Sequence, residues 1–244
     1  MDNLSILAAG GLKTRMDALD LLANNIANAS TPGFKADREF YDVYASADAL
    51  EGAQPQLIPD VSRKWTDFSQ GSLTATGNPL DVAISGAGFF AVKSGGDTLL
   101  TRNGSFRLSA AGELQTAEAH PITGLDGQPI HVDPREPLII APDGTISQGS
   151  RPVGKLEIVD VARPQDLSKE GSGYFRLSEV ASLRKAAAES SIQQGRVEGA
   201  NVAPAEAAVR LVSVMRQFEM LQRAASIGAD MNKHAVEEVA RVGN

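Results

Sequence analysis

Apolar residues recur along this chain with two different periods. Between residues 12 and 26, Leu12, Met16, Leu19, Ala23 and Ile26 follow one another at steps of four and three. Residues 207–228 repeat the alternation with Ala207, Leu211, Val214, Phe218, Leu221, Ala225 and Gly228. A mean step of about 3.5 residues keeps one face of a helix turned toward a partner helix. From Gly77 to about Leu177 the period falls to two and turn residues come at short intervals, which is the signature of strands. The pattern predicts a helix over about 4–28, a β-rich centre, and a closing helix that opens near Asn201 and Pro204.

Local chemistry sharpens these bounds. The first helix must stop where Asn24, Asn25 and Asn28 cluster ahead of Ser30-Thr31-Pro32-Gly33, because proline drives Thr31 out of the α region and Gly33 tolerates φ > 0. The asparagines read either as caps for free carbonyls at the helix end or, for Asn24 and Asn28, as a hydrogen-bonding strip against a neighbouring subunit. Phe34, Phe40, Tyr41, Val43 and Tyr44 are apolar enough to anchor the segment that follows, while Glu51-Gly52-Ala53-Gln54-Pro55 reads as linker. Strands are expected at Leu80–Ile84, Phe89–Lys93, Thr98–Arg102 and Lys155–Val161, with a hairpin at Gly95-Gly96. Asn103-Gly104, Ala111-Gly112, Asp126-Gly127 and Asp143-Gly144 mark further turns. Proline at 204 is tolerated in a first helical turn, where its amide has no intrahelical partner, and Glu206 suits the positive end of that helix. The expected fold is a mainly β central domain, an antiparallel sandwich or barrel-like body, plus a discontinuous, coiled-coil-like α domain made by pairing the terminal helices. The expected division is residues 1–34 (first helix), 35–76 (extended connector), 77–200 (β-rich domain) and 201–244 (last helix).

Charge changes the picture for the helices. The chain of 244 residues carries a net charge of −7, yet residues 1–35 balance Lys13, Arg15 and Lys35 against Asp2, Asp17 and Asp20, and residues 204–244 are balanced too. The excess negative charge therefore lies in the middle. Neutral amphipathic helices suit close packing, either on the β domain as ordinary core or among like copies, and their neutrality and terminal placement favour assembly. No basic stripe exists to neutralise phosphates, so nucleic acid is not an expected partner. The absence of cysteine excludes disulfides and thiolate metal sites. No basic segment leading into an apolar run begins the chain and no run is long enough to span a bilayer, so neither a cleaved signal peptide nor a transmembrane segment is expected.

Candidate chemistry is thin. His120, His131 and His234 have no carboxylate or second histidine at metal-ligand spacing, so no metal site is expected. Ser85-Gly86-Ala87-Gly88-Phe89 lacks the helix start that a phosphate loop needs and reads as a tight turn between strands. Asp81 reads as a turn ligand for backbone N–H groups, because no second carboxylate stands ready for acid–base work. The Asn28-Ala29-Ser30 and Asn103-Gly104-Ser105 triplets are too short to argue glycosylation. No catalytic site and no cofactor are expected.

The stretch from Leu22 to Lys35, which holds Asn24, Asn25, Asn28, Thr31, Gly33 and Phe34, resembles the N-terminal signature of the bacterial flagellar rod and hook proteins. Three further segments resemble that family in the same order. Gly71–Ile84 holds Gly77, Asn78, Pro79, Leu80 and Asp81, and Gly88, Phe89 and Phe90 follow it; Thr101–Phe106 holds Arg102, Gly104 and Phe106; Glu198–Val202 holds Asn201 and Val202. Hook proteins carry an extra β domain that this length cannot hold, which leaves the rod proteins. Arg216-Gln-Phe-Glu-Met220 resembles the proximal-rod branch, with the distal-rod branch as the alternative. A rod-associated binding module or a cell-wall hydrolase is the reading from other classes. The resemblance implies a non-enzymatic structural subunit of the flagellar basal body that polymerises helically into a hollow, torque-transmitting shaft through which exported subunits pass. It implies other rod proteins and copies of the same chain as partners, together with the flagellar type III export apparatus and chaperones, and it implies motility as the process served. It places the protein in the periplasm-spanning rod, exported without a cleaved signal peptide. The assembly interface it implies is the helical one: Leu12, Met16, Leu19, Ala23 and Ile26 with Leu211, Val214, Phe218, Leu221 and Ala225.

Overall fold

A computed structural model describes residues 3–45, 57–177, 183–185 and 190–242. The linker read at Glu51–Pro55 lies outside the described residues. The chain is mainly β with one helix near each end, and it divides into two units. It passes between them at 27/28, 36/37, 65/66 and 202/203.

The first unit holds both helices, α1 (Asn3–Ala27) and α2 (Pro204–Val242), and a two-stranded ribbon of β1 (Asp37–Ala45) and β2 (Leu57–Thr66). α1 and α2 pack together around Ala18, Leu22 and Val214, with Leu19 and Leu211 at the margin. Glu206 in the first turn of α2 and Arg241 in its last both oppose the helix dipole favourably.

The second unit is built from short strands: β3 (Leu73–Ala75), β4 (Val82–Ser85), β5 (Phe89–Ser94), β6 (Asp97–Thr101), β7 (Arg107–Leu108) and β8 (Leu114–Gln115). They continue with β9 (Leu138–Ile140), β10 (Thr145–Gln148), β11 (Arg151–Lys155), β12 (Ile158–Val161), β13 (Leu167–Gly171) and β14 (Tyr174–Leu177). The last are β15 (Leu183–Lys185), β16 (Ser191–Gln194) and β17 (Arg196–Glu198). The largest sheet is six-stranded, in the order β13-β14-β6-β5-β12-β15. Its centre is the β5–β6 hairpin, which turns at Gly95 and Gly96 with Ser94 opposite Asp97. Alternation along β5 explains the unbroken apolar run there. Phe89 and Ala91 enter one core with Leu100, Val159, Val161 and Phe175, while Phe90 and Val92 enter the other with Val82, Ile84, Leu114, Ile122 and Ile146. A strand covered on both faces has no position for a polar residue until it emerges at Lys93. Burying each phenylalanine contributes about 1.5–3 kcal/mol before ordering costs.

The strand expected over 155–161 divides in two. Leu156 gives its amide to Gly144 O and Glu157 gives its amide to Thr123 O, so the pairing partner changes within two residues and the chain passes from one sheet to another. Turn chemistry follows the expected residues elsewhere: Asn103 Oδ1 accepts the Ser105 amide, Asp126 Oδ1 that of Gln128, and Asp143 Oδ1 that of Thr145. The turns at Gly127 and Gly149 have only open space beside them.

Strands β16 and β17 close the unit from the far end of the sequence. β16 pairs antiparallel with β4, and β17 with β3, more than a hundred residues earlier in the chain.

Candidate functional site

Three charged side chains are buried together in the second unit. Lys35 Nζ lies 2.6 Å from Glu198 Oε1, and both side chains are 0% exposed. Arg102 Nη1 lies 3.1 Å from Glu198 Oε2. Backbone groups supply further partners: Lys35 Nζ donates to Ser69 O, Arg102 Nη2 to Gly86 O, and the Gly71 amide to Glu198 Oε1, while Arg102 Nε is buried without a hydrogen bond. Gln70 extends the cluster, accepting the Gly86 amide and donating to Ile84 O. Burial pushes the Lys35 ammonium below the usual lysine range, and Glu198 beside it opposes that push. Burial likewise lowers the Arg102 guanidinium, again against Glu198. Lys35 lies 163 residues from its carboxylate, and Arg102 lies 96 residues away.

The backbone around this cluster is tied as tightly. Asn201 Oδ1 accepts the Ala36 amide at 2.7 Å, and its Nδ2 donates to Asp67 O at 2.7 Å and to Ser69 O at 3.2 Å. Asp67 gives its own amide to Ala36 O, and Gly33 gives its amide to Glu198 O. Gly33 is required here twice over: its φ is +69°, and a Cβ would sit 2.3 Å from the Asn103 nitrogen. Phe34 is buried under the Lys169 ammonium, which stands 4.6 Å from the ring centroid. One carboxylate and one carboxamide thus fasten the segments around 33–36, 67–71, 86–102 and 198–201 into a clasp. The carboxylate, the ammonium and the carboxamide are each directed at another part of the same cluster, so the arrangement holds chain segments together.

The other motif residues fall around this clasp. Gly77, Asn78, Pro79, Leu80 and Asp81 form a turn in which Asn78 Oδ1 accepts the Leu80 amide, and the Gly77 amide goes to Gly195 O. The turn-ligand role expected of Asp81 therefore belongs to Asn78; Asp81 contributes its backbone, receiving the Gly195 amide. Phe106 stacks edge-on against Phe90 with centroids 5.1 Å apart. Gly104 passes so close to β4 that a Cβ would stand 1.6 Å from Val82 O. Gly88 is buried at the entry to β5, and Val202 is half-buried where the chain leaves the unit. Asn25 at the end of α1 does something other than cap its carbonyls. Asn25 takes the Asp37 amide on Oδ1 and gives Nδ2 to the Asp37 carbonyl, while Asn28 receives the Thr31 amide and hydroxyl. Lys35 and Glu198, the residues at the centre, are not among the expected site residues. Their signal was positional, since each stands inside a motif segment beside a residue that was singled out.

On the helices, Ala207, Leu211, Val214, Phe218, Leu221, Ala225 and Gly228 all lie on the buried or half-buried side of α2. Val214 and Leu211 face α1 of the same chain. On α1 the seam runs through Thr14, Ala18, Leu21 and Leu22, whereas Leu12, Leu19 and Ile26 are half-buried and Met16 and Ala23 are exposed. The seam uses small and polar residues because two backbones approach there. A Cβ on Gly11 would touch Leu221 at 3.4 Å, and the Thr14 hydroxyl is satisfied by Gly10 O. Away from the seam, each helix carries a second strip at the same spacing. Ala9, Lys13, Met16, Asp20, Ala23 and Ala27 are exposed on α1, and Val209, Arg216, Met220, Arg223 and Ile227 are exposed on α2, Val209 at 73% and Met220 at 62%. Among the described residues no helix is long and apolar enough to cross a membrane, and no grouping could hold a metal ion.

Three family profiles match the chain: "Flagella basal body rod protein" over residues 7–35, "Flagellar hook protein FlgE/F/G D1 domain" over 83–148, and "Flagellar basal body rod FlgEFG protein C-terminal" over 193–237. Lys35, Arg102 and Glu198 fall one in each matched segment. The chain is 32% identical to the flagellar basal-body rod protein FlgF of Caulobacter vibrioides, over 99% of this chain and 100% of that one. It is 34% identical to FlgF of Salmonella typhimurium over 90% and 91% of the two chains. It is 28% identical to the flagellar basal-body rod protein FlgG of Agrobacterium fabrum over 92% and 95%.

Proposed function

The chain belongs to the flagellar basal-body rod protein family, and from that membership we propose that it is a structural subunit of the proximal rod that assembles through the outer strips of its two terminal helices. The family is one of structural proteins rather than enzymes, and its likeness to FlgF chains over nearly the full length supports the proximal position over the distal one. The observation that carries the interface is the exposed apolar strip on α2. A helix that borders only water is polar on its outer face, yet Val209, Val212, Met220, Ile227 and Met231 stand exposed there. Asp20 on the outer strip of α1 can pair with Arg216 or Arg223 on the outer strip of α2 in a neighbouring copy. A contact between unlike faces propagates as a helix of subunits where its rotation does not close into a ring.

In the assembled shaft the seam and outer strips together make α1 and α2 a coiled-coil-like layer around the channel, and the β unit is a sandwich-like body of its own. The working division is residues 1–34 and 201–244 as the terminal-helix domain, 35–76 as connector and 77–200 as the β-rich domain. Delivery is by the flagellar type III export apparatus with its chaperones, to a rod that spans the periplasm.

Met220→Asp is the direct test. The free subunit should keep its helicity and stability, because Met220 touches little, while incorporation into rods and motility are lost. Intact rods containing the variant would overturn the interface. Amide exchange of α1 and α2, compared between the free subunit and isolated basal bodies, should show protection rising at Val209–Ile227 on assembly.

A further inference from the structure

The buried cluster has one anion for two cations, and the anion comes from the last strand of the β unit. Lys35 and Arg102 are both at least nine-tenths buried, and Glu198 is the carboxylate that meets both. A buried charge left without its partner is costly, and although Asp67 attracts Lys35 and Asp160 attracts Arg102, Glu198 is the stronger partner of each cation. The amides of Gly33, Gly71 and Ala36 depend on the same stretch, through Glu198 O, Glu198 Oε1 and Asn201 Oδ1. By contrast, the β5–β6 hairpin and the Phe89 and Phe90 cores around it draw mainly on residues 82–177.

We propose that Glu198 is the pin of a latch that couples closure of the β unit to the arrival of its final strands. Until residues 191–201 are laid down, segments 33–36 and 67–71 stay undocked and Lys35 and Arg102 stay in water, even though the sheet centre has formed. Folding of the unit then has two stages separated by sequence distance. Local hairpins come first, since closing short loops is fast. The clasp comes last, since it joins residues 163 apart and requires two desolvated cations to meet one carboxylate in register. The device makes the entry and exit of the unit lock together, and only in a chain that presents its C-terminal third.

Pulsed amide exchange during refolding of the full chain tests this. Leu100, Leu114 and Ile122 amides should be protected in an early step, and Gly33, Ala36 and Gly71 amides together in a later one. Glu198→Gln should leave the early step unchanged and lower the equilibrium protection of Gly33, Ala36 and Gly71 on the order of a hundredfold. Adding Lys35→Met and Arg102→Met to Glu198→Gln, which removes both cations that the variant leaves unpaired, should recover much of that protection. Protection of Gly33 and Ile122 in a single step in the unaltered chain would overturn the latch. So would native protection of Gly71 in Glu198→Gln, or loss of protection at Ile122 in that variant, which would show that clasp and core are one cooperative body. Failure of the triple variant to recover would assign the effect to shape rather than charge and overturn the pin.

Discussion

Asn201 ties two separate stretches of backbone together with a single carboxamide, accepting from Ala36 and donating to Asp67 and Ser69. Removing it takes one hydrogen bond from each of these groups, and Ser69 O keeps the one from Lys35. Asn201→Ala should lower the unfolding free energy by about 1–3 kcal/mol in urea titrations of the full chain, and Asn201→Asp, which sets a carboxylate oxygen against the Asp67 and Ser69 carbonyls, should cost at least as much. Asp143 gives a contrasting, exposed case. The Lys155 ammonium, followed by the amide and hydroxyl of Thr145, holds its carboxyl down at about 2 against 3.8 for a free aspartate. A carboxyl with a depressed pKa stabilises the fold above its unfolded value and loses that contribution as pH falls through the folded one. The local benefit to the β10–β11 hairpin should therefore be intact above pH 3.8 and vanish as pH drops toward 2. Titration of the Asp143 carboxyl by NMR should find a midpoint near 2 that moves up in Lys155→Met. The two sites differ in how they read from sequence. Asp143-Gly144 announced its turn through residue type alone. Lys35 and Glu198 look like ordinary surface charges, and only Gly33 and Asn201 beside them hinted at a fixed backbone; that the two ions meet is a fact of tertiary closure.

The helices show the same divide between what periodicity carries and what it does not. The stripe on α2 was legible from Leu211, Val214, Phe218 and Leu221, because large apolar residues mark the face they occupy and the structure leaves that face covered. The seam of α1 was read a fraction of a turn off. Its contact line runs through Gly11, Thr14 and Ala18, which hydrophobicity counts weakly, while Met16 at 54% exposure attracted the reading. Val214→Ala should cost about 1.5–3 kcal/mol of helix-pair stability, followed by far-ultraviolet dichroism, whereas Met220→Ala should stay within about 0.5. Strand positions read well where both faces are buried, as in β5. They read poorly at 155–161, where a change of partner rather than a change of composition ended the strand.

At the scale of the molecule, the two units differ in what they bury. The helical one gathers its described core around Ala18, Leu22 and Val214, whereas the β unit has two larger clusters, with Phe90, Leu114 and Ile122 in one and Phe89, Leu100 and Phe175 in the other. Heating the free subunit should melt the helices first, so loss of helical dichroism should precede loss of amide protection at Leu100 and Ile122. A single coincident transition would count against separate stabilities. The same partition bears on how the protein can be watched in a living cell. Fluorophores or epitopes are usually attached to chain ends, but here both ends belong to the helical unit, whose outer strips are the proposed subunit contacts. The turns at Gly127 and Gly149 point into empty space and lie far in sequence from every part of the clasp. A short tag spliced into either turn would leave the assembling faces bare, and those two loops are where a visible yet motile variant should be built.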